Sequence, residues 1–80
     1  MFARYMQAAM QQAHFELIEE DRVVFATIPG FDGLWATGET REQAEAELAS
    51  VLEGWLLVGL AHHHPLPVVE GIDLAVHAVA

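Results

Sequence analysis

A chain of 80 residues is the size of one small domain, and with 54% of them hydrophobic it holds more apolar surface than a single core of that size buries. Twelve Asp and Glu against three Arg and no Lys give a formal net charge of −9, which removes the counterion-release term behind phosphate-backbone binding and argues against direct contact with DNA or RNA. The lack of cysteine excludes a disulfide framework and any thiolate metal site.

In chain order, Phe2, Tyr5, Met6, Ala9 and Met10 recur at helical spacing, and no Gly or Pro interrupts Phe2 to Gln12, so an amphipathic helix is predicted there. His14 to Glu19 partly alternates, with Phe15 and Leu17 on one side. Glu20-Asp21 supplies a polar turn, and Arg22 to Ile28 is rich in β-branched residues. The pair reads as an antiparallel hairpin. Pro29-Gly30 and Asp32-Gly33 are turn signals, with a third short strand, Leu34 to Thr37, ending at Gly38.

The clearest element follows. Thr40 with Gln43 three residues later matches a capping box, and Glu39 and Glu42 lie where the positive end of a helix favours them. Ala44, Leu48, Val51, Leu52, Trp55 and Val58 then form an inward stripe, with Glu42, Glu45 and Glu53 on the solvent side. The helix is predicted to reach Leu60 or Ala61, before Pro65 and Pro67. Ile72, Leu74 and Val76 alternate with Asp73, Ala75 and His77 and predict a last strand. The whole chain, residues 1–80, thus reads as a single α+β domain: an N-terminal helix, a three-stranded antiparallel meander, a long helix packed on the sheet and a final strand.

The longest apolar run, Trp55 to Ala61, is too short to span a bilayer, and the N-terminus does not read as a signal peptide, so a cytoplasmic protein with no membrane contact is expected. Little in the sequence resembles a catalytic site. His62, His63 and His64 could ligate Zn²⁺ or Ni²⁺, but consecutive residues point in different directions. A solvated helix C-terminus is the plainer reading. Asp21 and Asp32 fall in turns, and nothing sets a second acid beside Asp73. Ser50, the only serine, lies mid-helix without a nucleophile elbow, and no Lys is present for a phosphate loop. No catalysis, cofactor or metal is expected. Trp55 reads as core, while Trp35 reads equally as core or as an interface anchor.

The run Ile28-Pro29-Gly30-Phe31-Asp32-Gly33-Leu34-Trp35-Ala36-Thr37-Gly38-Glu39-Thr40, continued by Arg41-Glu42-Gln43-Ala44 and later by Pro65-Leu66-Pro67, resembles the HicB antitoxin-like family. Asp32 departs from it, standing where many members have proline. The resemblance covers roughly residues 14 to 70. It implies a β-β-β-α-β, partial ribonuclease-H-like core that neutralises a small basic RNA-cleaving toxin. Full-length antitoxins of the family add a helix-turn-helix or ribbon-helix-helix segment that binds operator DNA. No such segment follows the core in the 80 residues, so a small stand-alone member is expected.

The reading is therefore a non-catalytic protein-binding module that masks a basic toxin, with Glu39, Glu42, Glu45, Glu53 and Trp35 as candidate partner-binding residues. The alternative is a stand-alone homo-oligomer, dimer or higher, with a structural or regulatory role and no toxin partner. The apolar excess predicts self-association in either case, through the last strand or the N-terminal helix.

Overall fold

The computed structural model describes residues 2–71, so the strand expected at Ile72–Val76, with Asp73, lies outside the described residues. Helix α1 spans Phe2–Gln11 and buries Tyr5, Ala8 and Ala9, with Phe2, Met6 and Met10 packed along the same core. Its exit tightens into i→i+3 bonds, from Gln12 N–H to the Ala9 carbonyl and from Ala13 N–H to that of Met10. The buried Tyr5 ring stands edge-on to Phe31 at 6.3 Å. Its hydroxyl donates to the Pro67 carbonyl oxygen, tying the first helix to the segment after the last one.

Strands β1 (His14–Ile18), β2 (Val23–Thr27) and β3 (Trp35–Gly38) form an antiparallel meander in the order β1-β2-β3. Ile18 pairs with Val23, Phe15 with Ala26, and Ala26 with Ala36. Both later strands start inside the expected bounds, for local reasons. Arg22 has φ 53° and belongs to the turn. Ile28 and Leu34 are corners of two successive turns, in which Phe31 N–H reaches the Ile28 carbonyl at 3.1 Å and Leu34 N–H reaches that of Phe31 at 3.2 Å. In each turn the third residue is a glycine with positive φ, Gly30 at 88° and Gly33 at 79°. Pro29 at the second position of the first turn completes a type II signature, and Asp32 occupies the same place in the second. The double turn points Ile28, Phe31 and Leu34 inward, and all three are buried.

Helix α2 spans Arg41–Ala61. The Thr40 hydroxyl oxygen accepts the Gln43 N–H at 3.1 Å. The Gln43 Oε1 accepts the Glu39 N–H at 3.0 Å, one residue before the cap rather than at it. A Cβ on Gly38 would run into the backbone nitrogen of Ala44 and lie 2.8 Å from the backbone carbon of Gln43, so only glycine lets β3 meet the helix start this closely. The inward line is Ala44, Leu48, Leu52 and Leu56, closed by Gly59. This corrects the expected stripe. Val58 turns out to solvent and Val51 is half-buried, because steps of four from Ala44 track the sheet while Val51 and Val58 lie on the helix flank. Trp55 is half-buried against the core, its ring 5.3 Å from Phe31. Burying three leucines on one helix line accounts for much of the stability, since each would cost about 2–5 kcal/mol to truncate.

Candidate protein-binding surface

Strand alternation divides the sheet into two faces. Phe15, Val24, Ala26 and Ala36 face α2, and the two alanines are small enough to let the helix lie close. The Arg41 guanidinium, the one Lys or Arg charge on α2, lies 4.6 Å over the Phe15 ring and is held on this covered side. Glu16, Ile18, Val23, Phe25, Thr27, Trp35 and Thr37 have the opposite parity, and the described residues leave that face open to solvent.

On it the Phe25 and Trp35 rings stack at 5.7 Å with an interplanar angle of 17°, Phe25 on the central strand and Trp35, 55% exposed, at the start of the edge strand β3. Glu16 and Thr37 flank Phe25 in the register, and Ile18 and Val23 pair beyond it. The end of the sheet that carries Ile18 and Val23 is acidic. Glu19, Glu20 and Asp21 lie in the β1–β2 turn and Glu39 follows β3, all of them exposed. The open face thus combines an aromatic pair with Glu16 beside Phe25 and a group of hydrated carboxylates at one end of the sheet.

The residues expected from sequence do not all meet there. Trp35 lies on the open face and Glu39 at its rim. Glu42, Glu45 and Glu53 are exposed on α2, the layer that covers the other face of the sheet. Glu45 lies towards α1, sharing a shallow depression with Gln7, Met10 and Phe15. Sequence spacing does not single out Phe25 and Glu16. The run Val23-Val24-Phe25-Ala26-Thr27 is apolar on both faces and hides its own alternation, and only the pairing with β3 brings Phe25 against Trp35.

The histidine cluster caps the long helix. The backbone N–H groups of His62, His63 and His64 return to the carbonyls of Val58, Leu60 and Gly59, and His63 takes the left-handed conformation at φ 57°. The His62 and His64 rings stack at 5.6 Å, and among the described residues no three His, Cys, Asp or Glu side chains are placed to hold a metal ion. Asp21 and Asp32 are both in turns. Among the described residues no helix is long and apolar enough to cross a membrane.

Among the described residues the meander is covered on one face by the capped helix and open on the other. The UPF0150-like family model matches residues 4–67, and the chain belongs to that family, a small one of HicB-like character. Among solved structures, the crystal structure of TTHA0281 from Thermus thermophilus superposes with a TM-score of 0.83 at 35% identity, covering 90% of this chain and 89% of that one. No curated protein matches the chain.

Proposed function

We propose that this protein is a HicB-like antitoxin core, a non-catalytic cytoplasmic module that binds and masks a small basic RNA-cleaving toxin. The observation that carries the proposal is Trp35, exposed on the sheet face that the described residues leave open and stacked on Phe25, with Glu16 beside the pair and further carboxylates at one end of that face. Its family and the resemblance of residues 28–44 support the same reading. The basic partner lays an apolar patch on the aromatic pair and its cations against Glu16, Glu39 and the β1–β2 turn. The field of a chain with net charge −9 draws it in, and Glu42, Glu45 and Glu53 add to that field without touching the partner.

The test is a search for a small basic protein encoded beside this chain's gene and calorimetry with any that is found, together with an assay of whether it cleaves RNA. The expected result is tight binding that suppresses cleavage and that Trp35→Ala weakens. Absence of any interaction between the two purified proteins would sink the proposal.

A further inference from the structure

The C-terminal half of α2 is unusual for a surface helix. From Val51 to Ala61 its only charged residue is Glu53, and it is apolar around its whole circumference, a pattern of helices buried on all sides. One side packs on the sheet. On the other, Leu57 is 54% and Val58 56% exposed.

Gly54 lies on this outer side, and a glycine inside a helix costs about 1 kcal/mol relative to alanine. The same helix shows what an intrachain reason looks like, since a Cβ on Gly59 would sit 2.7 Å from Leu66 Cδ2. At Gly54 a Cβ would meet nothing within 4 Å. Among the described residues the missing side chain serves no contact, and it leaves a notch where another backbone can approach. Beside it runs an apolar groove of about 460 Å³ between Val51, Trp55, Val58 and Leu66.

We infer that α2 pairs with α2 of a second copy, antiparallel, about a two-fold axis beside Gly54. Charge selects both the occupant and the direction. The patch carries a single carboxylate, Glu53, on a strongly acidic molecule, so two copies meet there with less repulsion than along the acidic first half of α2. Glu47, seven residues before Gly54 and on the same side of α2, would lie against its own copy in a parallel pair. In the antiparallel pair the two Glu47 carboxylates are held at opposite ends, and the helix dipoles oppose. A register centred on Gly54 sets Leu57 and Val58 of each helix level with Val51 and Ser50 of the other. The histidine ends then come level with Glu45 and Glu47 of the other copy. This surface is distinct from the open sheet face, so a dimer keeps both aromatic pairs free.

Sedimentation equilibrium of the full chain from about 1 to about 200 μM tests the pairing, a range suited to a modest interface. The mass is expected to rise from the 8.8 kDa of one chain towards twice that value. Raising salt from about 0.05 to about 0.5 M should strengthen association by screening the repulsion between copies. Gly54→Arg, a favourable helix residue at an exposed position, should fold and raise the midpoint concentration roughly tenfold or more, while Trp35→Ala leaves it unchanged. Gly54→Cys, with the chain's only thiol, should oxidise to a covalent dimer more readily than Gln43→Cys. One-chain mass at every concentration would overturn the inference. So would a dimer that Gly54→Arg leaves intact, or preferential cross-linking through Gln43→Cys.

Discussion

The open sheet face and the outer side of α2 are both apolar and both solvent-exposed, yet they differ in what surrounds them. Phe25 and Trp35 share their face with Glu16, and Glu39 and an acidic turn close one end of it, whereas Leu57 and Val58 sit beside Gly54 in a stretch with a single carboxylate. Apolar area alone therefore does not define a partner. Charge at the rim makes the sheet face complementary to a basic protein, and its scarcity on the helix makes that side tolerable to a second copy. Salt should separate the two proposed associations in sign, weakening the first and strengthening the second.

The largest expected effect falls on both surfaces at once. Leu52→Ala, fully buried beneath the helix, should lower stability by about 2–5 kcal/mol in a urea titration and weaken both associations together. Unequal loss would mean that one surface does not depend on the common core. Next comes Trp35→Ala, which should cost about 2 kcal/mol in binding a basic partner, near thirtyfold, and leave self-association alone. Equal damage to both would erase the distinction between the faces.

Gly54→Ala sharpens the other side. At high dilution it should raise stability by about 1 kcal/mol, because the position has room and the helix gains propensity. A loss of stability would reveal an intrachain role for this glycine. The smallest effect belongs to Glu42, Glu45 and Glu53 replaced together by Gln. Stopped-flow association with the basic partner should slow only a few-fold and lose part of its salt dependence, with dissociation unchanged. A changed dissociation rate would move the docking site from the sheet to the helix.

Much of the fold is legible where chemistry is local. Thr40 and Gln43 announce the helix start, and the glycines of Pro29-Gly30 and Asp32-Gly33 announce turns because each needs positive φ. The surfaces are less legible because they depend on phase and pairing. Spacing places Val58 inward, but that spacing suits either flank of a helix apolar on every side. The two tryptophans, which sequence allows to share a core, are separated by the register, Trp35 on Phe25 and Trp55 on Phe31. Glu39 and Trp35 both neighbour the open face. Glu42, Glu45 and Glu53 group with them only by sequence proximity, since they belong to α2, which covers the other face of the sheet.

These two tryptophans offer the most direct test, because one belongs to each surface and the chain has no others. In a ¹⁵N-labelled sample their indole N–H groups give two resolved signals. Titrating in the basic partner should shift or broaden the Trp35 signal and leave that of Trp55, which lines the groove beside Gly54, in place. A partner that binds while the Trp35 signal stays fixed would contradict the assignment of the open sheet face as the docking surface.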